Sequence, residues 1–136
     1  REQRARLEAQ FEALFNQPNY LAAKTGLDVV ELRQRAIQQN IANLETPGYK
    51  RVDVSPSFTS ALERAVASRD PQSIRSVKPE LAVDTSAVAV GPDGNTVNLE
   101  SELLEMNKNV LAHSLQTQLI TGSLMRLKLA INGKPT

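Results

Sequence analysis

"NIANLETPGYK", Asn40 to Lys50, ends an apolar-patterned run with two asparagines, a threonine before proline, a Pro-Gly pair and a tyrosine. Upstream of it Ala23, Leu27, Val30, Gln34, Ile37, Ile41 and Leu44 step by four and three, the stride of one helix face. Thr46 precedes proline and is steered out of the right-handed helical region, so the spacing predicts a helix that stops by Leu44 or Glu45. Pro47 and Gly48 then offer the fixed φ and the permissive φ of a type II turn, leaving Tyr49 to pack as the chain departs. Asn40 and Asn43, in the last turn, carry amides suited to unsatisfied helix-end carbonyls or to a neighbouring chain. A plain helix stop accounts for Pro47 and Gly48. It does not account for the paired asparagines and the tyrosine.

Working outward, a second helical pattern opens after "GPDGNTVN", with Asn98 as N-cap and Glu100 and Glu102 placing negative charge in the first turn. Leu99, Leu103, Met106, Val110, His113, Thr117, Ile120, Leu124, Leu127 and Ile131 then form a heptad seam. A helix from 98 to 131 is roughly 50 Å long, rod-like in proportion. Two seams imply one antiparallel hairpin, with Ile41 beside Leu103, Ile37 beside Met106 and Val30 beside His113. Leu104, Leu111, Leu115, Leu119, Met125 and Leu129 lie off the seam, more apolar surface than one partner helix covers. Upstream, Leu7, Phe11 and Leu14 mark a shorter helix, and "FNQPNY" predicts a break. The expected fold is mainly α, a coiled-coil-like antiparallel pair of long terminal helices around a short irregular, β-containing middle. Its parts are residues 1–50, an extended middle arm over 51–97, and residues 98–136 packed on the first part as one discontinuous domain. In the arm, prolines 56, 71, 79 and 92 delimit short pieces: a helix behind Ser57, short strands at "LAV" and "AVAV", and a turn at "GPDG".

Composition restricts the chemistry. Sixteen basic and fifteen acidic residues are interspersed, for a net charge of +1, so no basic stripe points to nucleic acid. The absence of cysteine removes disulfides, thiolate metal sites and cysteine nucleophiles. His113 stands alone inside the seam and reads as a packed or register-setting residue, without the companions a zinc site needs. "DGNTVN" begins like a calcium loop, but Asn98 and Leu104 occupy its glycine and terminal glutamate positions. Lys50-Arg51 reads as a solvated charge pair, and Glu100, Glu102 and Glu105 as capping and solubility residues. No phosphate loop, nucleophile elbow or catalytic acidic pair occurs, so no catalytic residue, cofactor, metal or small-molecule substrate is expected. No run of about 18 apolar residues spans a bilayer and no signal-peptide pattern is present; Arg1 in place of methionine leaves the N-terminus open.

The stretch "NIANLETPGYK" closely resembles the signature of bacterial flagellar rod, hook and hook-associated axial proteins. "LFNQPNYLAAKTGLDVVELRQRAIQQNIANLETPGYKRVDVSPSF" and "GPDGNTVNLESELLEMNKNVLAHSLQTQLITGSLMRLKLAI" are similar to the terminal regions of basal-body rod proteins of the proximal type. Residues 1–12 and about 60–90 match poorly. The resemblance implies a non-enzymatic structural subunit of the proximal rod that self-assembles through its terminal helices. It makes Asn40, Ile41, Ala42, Asn43, Thr46, Pro47, Gly48 and Tyr49 an assembly motif, and Leu27, Val30, Ile37, Ile41, Leu44, Leu99, Leu103, Met106, Val110, Ile120, Leu124, Leu127 and Ile131 the packing seam. Implied partners are copies of the chain, other rod proteins, the inner-membrane ring with its rod adaptor, and the export apparatus that would deliver it to the periplasm-spanning rod without signal cleavage. A helical adaptor outside any flagellum, binding a partner helix, is the alternative these residues allow.

Overall fold

The computed structural model describes residues 1–15 and 17–132, except for the side chains of 11–15, 127, 130, 131 and 132. Its helices are α1 (Glu2–Phe15), α2 (Pro18–Ala42), α3 (Pro56–Ser68), α4 (Pro71–Ser76) and α5 (Leu99–Asn132), and its strands β1 (Val52–Val54) and β2 (Leu81–Val83). It is mainly α, with a long helix on either side of a short two-stranded middle. Proline stands at the start of α2, α3 and α4, where its missing N–H removes nothing a first turn would use. The break expected at "FNQPNY" lies between Phe15 and Pro18.

α2 and α5 run antiparallel. Asn109 Nδ2 donates to the Val30 carbonyl at 2.9 Å and to Gln34 Oε1 at 3.3 Å. Seven residues on, the Gln116 amide lies across Gly26, where a Cβ would come within 2.6 Å of it. α5 therefore climbs as α2 descends, and Gln34 meets Asn109 within one residue of the expected alignment. α1 also lies against α5.

The middle segment is folded back on α2 rather than extended. β1 and β2 pair antiparallel, Val52 opposite Val83, Asp53 opposite Ala82 and Val54 opposite Leu81. The Ser55 N–H donates to the Glu80 carbonyl and the Asp84 N–H to the Arg51 carbonyl, extending the ladder at both ends. β1 and α4 lie against α2, and a small core of Leu21, Ala65 and Ile74, flanked by Tyr20 and Val77, joins the start of α2 to α3 and α4. Helix α3 follows Ser55 rather than Ser57. "LAV" is β2, but "AVAV" over 87–90 is not a strand: "VDV" at 52–54 takes the pairing edge, and Val88 is left 79% exposed. "GPDG" is a turn closed by the Gly94 N–H on the Gly91 carbonyl.

Candidate functional site: the clasp at the helix end and the faces of α5

The opening stretch forms one half of a clasp. α2 stops at Ala42, two residues earlier than Thr46 alone requires, because Asn43 leaves helical geometry and its amide turns back to the Gln39 carbonyl at 2.8 Å. The Asn43 and Leu44 N–H groups close a tightened last turn on the Asn40 and Ile41 carbonyls. Pro47 and Gly48 occupy the centre of a turn closed by the Tyr49 N–H on the Thr46 carbonyl, with Gly48 at φ +73° as type II geometry requires. Asn40 is fully buried and grips Val52 with both amide atoms, Nδ2 to its carbonyl and Oδ1 from its N–H, each at 2.9 Å. Its side chain thereby substitutes for a missing neighbour on the free edge of β1. Ile41, Asn43, Leu44 and Tyr49 are half-buried, whereas Ala42, Thr46, Pro47 and Gly48 are exposed.

Residues 93–97, read from the sequence only as the end of a turn and a rejected calcium loop, form the other half. The Asn95 amide, 4% exposed, donates to three carbonyls left by the ending helix: Asn43 at 2.9 Å, Leu44 at 3.1 Å and Thr46 at 2.8 Å. The Gly48 N–H donates to the Asp93 carbonyl at 2.8 Å and the Thr96 N–H to the Tyr49 carbonyl at 3.0 Å. The signal available in the sequence was a second asparagine-rich turn immediately before the second long helix. At that helix start Asn98 Oδ1 accepts from the Ser101 N–H at 3.1 Å, the N-cap expected of it.

Arg51, read as solvated, is an ionic hub. Its guanidinium donates to Glu102 Oε1 at 2.8 Å and to Asp84, and lies 3.7 Å from Asp53, which Arg33 also engages at 3.4 Å. Burial alone would lower the Arg51 pKa, but the hydrogen bonds and charges of Glu102, Asp84 and Asp53 outweigh it, so the group is held more firmly protonated than a free arginine. Asp84 is lowered, first by the Ser86 hydroxyl and then, against the opposing effect of burial, by Arg51. Glu102, assigned to capping and solubility, instead has a fully buried side chain, and its Oε2 has no hydrogen-bond partner.

The face that α5 turns toward α2 is not the apolar seam. Among the described side chains of α5, Glu102, Asn109 and Ser123 are the buried ones, and with Gln116 they recur every seven positions. Of the seam residues, Leu99, Leu103, Val110 and Leu124 are 40%, 46%, 63% and 46% exposed, and Met106 and Ile120 are half-buried. On α2, Val30 and Ile37 are buried and Leu27 and Ile41 half-buried, as is Leu44 just beyond its end. The side chains of Leu127 and Ile131 lie outside the described residues. α5 is rotated by roughly a quarter turn from the expected facing, because Glu102 and Asn109 find hydrogen-bond partners on α2 and Arg51 that leucine cannot use. His113 is exposed at the edge of a groove of about 520 Å³ between the helices, and Asn109, one turn earlier, holds the inward place. Leu104, Leu111, Leu115, Leu119 and Met125 form a further ridge, each at least half exposed. Among the described residues there is no group of His, Asp or Glu that could hold a metal ion and no helix long and apolar enough to cross a membrane.

Two long helices clasped at one end, one of them apolar on two sides that the chain leaves uncovered, define a helical structural protein. Comparison with known proteins shows the family. The flagellar basal body rod protein FlgB of Borrelia hermsii is 32% identical over 111 residues, covering 68% of this chain and 80% of that protein. FlgB of Aquifex aeolicus is 30% identical, covering 75% of this chain and 83% of its own length, and FlgB of Bacillus subtilis 26% identical, covering 81% and 90%. No protein-family model matches the chain. The chain belongs to the FlgB family of flagellar basal-body rod proteins.

Proposed function

We propose that this chain is a structural subunit of the proximal rod, without enzymatic activity, and that it assembles through its terminal helices. The observation that carries the reading is the exposure of Val110, Leu111, Leu115 and Met125 at 63%, 71%, 53% and 60% on a helix whose inward face is polar. A soluble monomer gains nothing from displaying leucine and hiding asparagine, whereas a subunit wedged among other helices buries both sets. The assembly motif from Asn40 to Tyr49 acts in this reading through the clasp, fixing the angle at which the hairpin leaves the middle segment. The seam residues Leu99, Leu103, Val110 and Leu124 pack between subunits rather than within one. Partners are copies of the chain, other rod proteins, the inner-membrane ring and its rod adaptor. Delivery to the periplasm-spanning rod is by the flagellar export apparatus without cleavage of a signal peptide.

The test uses a tagged chain in a strain deleted for its own copy. Leu111→Asp with Leu115→Asp is expected to leave the helix content of the purified chain unchanged, since both side chains already face water, and to remove it from isolated basal bodies with loss of swimming. Normal incorporation of that variant would rule out assembly through this face.

A further inference from the structure

α5 carries three rows of residues that repeat in steps of seven and lie side by side. Glu102, Asn109 and Ser123 form the inward row; Leu103, Val110 and Leu124, each one residue on, form a second, and Leu104, Leu111 and Met125 a third. One residue turns a helix by about 100°, so the rows point in three directions. α2 takes the first. The other two are exposed even though α1 also lies against α5, and each runs about 30 Å along the helix. Where the third row meets Gln118, the exposed Leu115 and Leu119 carry it past.

The second row borders the groove of about 520 Å³, which Met106 and Val110 line from α5 and Val30 and Gln34 from α2, with the exposed Glu31 and Arg35 beside them. Two helices that meet through a polar row and leave an apolar groove next to it form an incomplete three-helix packing, and a third helix laid in the groove buries Val110 and its row. The helix that fits displays apolar knobs every seven residues over about 30 Å. Leu104, Leu111 and Met125 have that period and that length. α1, at 14 residues, is only about 20 Å long, and α2 leaves no large apolar side chain exposed among its described residues. The matching surface is therefore the third row of α5 itself. Both rows belong to one helix and point in different directions, so they meet only between copies. Such a contact is heterologous: a copy that fills its neighbour's groove offers its own groove to the next.

We propose that the row of Leu104, Leu111 and Met125 on one copy packs into the groove beside Val110 of a second copy. The proposal rests on the rod reading and specifies the contact between successive copies. The chain has no cysteine of its own, so single cysteines report the contact directly. Cells deleted for their own copy receive two chains together, one carrying Leu111→Cys and the other Leu103→Cys, Val110→Cys, Thr117→Cys or Leu124→Cys, and isolated basal bodies are oxidised. A mixed disulfide dimer is expected for one of these four partners and is expected to fall away for the others, because a disulfide needs Cα atoms within about 7 Å and the four positions are about 10 Å apart. Neither chain alone is expected to form it. Both chains present in the rod without a mixed dimer, or each chain dimerising only with its own kind, overturns the packing. Where a cysteine chain stays out of rods that accept the parent, oxidation of the two purified chains at high concentration decides, and absence of the mixed dimer there overturns it as well. Absence of the parent chain from basal bodies would sink the rod reading itself.

Discussion

Gly48 and Asn95 show how one residue sets a chain direction. A Cβ on Gly48 meets nothing within 4 Å, so substitution there is penalised by backbone alone, at φ +73°. Gly48→Val is expected to destabilise the purified chain by about 1–3 kcal/mol in urea unfolding, and Gly48→Asn by clearly less. Equal stability of the valine variant would mean the turn relaxes to another type. Asn95→Ala strips the donor from three carbonyls and is expected to cost about 1–3 kcal/mol. Asn95→Asp should unfold at lower denaturant still, since it sets an acceptor against three acceptors. A smaller loss for aspartate than for alanine would contradict the donor role. Of these two residues only Gly48 was legible in the sequence. A Pro-Gly pair carries its own geometry, whereas Asn95 acts on backbone more than forty residues away in sequence, which no local pattern encodes.

At the scale of the element, the helices and their antiparallel sense were readable because periodicity and caps are local properties. The rotation of α5 was not. Apolar residues on two sides give the helix no single apolar stripe, and its facing is decided by Glu102 and Asn109, polar residues that a hydrophobic pattern assigns to solvent. Asn109 has one amide nitrogen well bonded and an Oδ1 with no partner, so it specifies register more than it stabilises. Asn109→Leu is expected to leave the melting temperature unchanged or raise it, because the orphaned acceptor disappears and the Val30 carbonyl keeps its place within α2. A disulfide is expected between Gln34→Cys and Val110→Cys, which line the same groove, and Asn109→Leu should weaken it as the helices are freed to slide. A pronounced fall in melting temperature would show instead that the amide bond outweighs the unmet oxygen. In the middle segment "LAV" was legible as a strand but its partner "VDV" was not, for a related reason: a three-residue strand carries no periodicity, and Asn40 covers the outer edge of β1 from a distant helix.

For the whole molecule, the network around Arg51 links α2, β1, the turn after β2 and α5, and it carries a pH signature. Asp84 binds its proton less readily folded than unfolded, so its contribution to stability is complete above its ordinary value of 3.8 and fades as pH falls through the lowered folded value. Stability measured by urea unfolding should therefore drop below about pH 4 more steeply in the parent than in Asp84→Asn, with the two curves converging in acid. Parallel curves would show that Asp84 is not held down by its partners. Arg51 stays charged throughout that range and adds no slope of its own.

The clasp has one more consequence. Tyr49 and Thr96 are joined backbone to backbone, so the stretch between the two halves of the clasp, residues 50–92, leaves the hairpin and returns at a single point. In such an arrangement the intervening stretch behaves as a cassette: its length and content can change while the two helices still receive the chain at the same separation and angle. Relatives with longer or shorter segments at this point would keep one common stem beneath different heads.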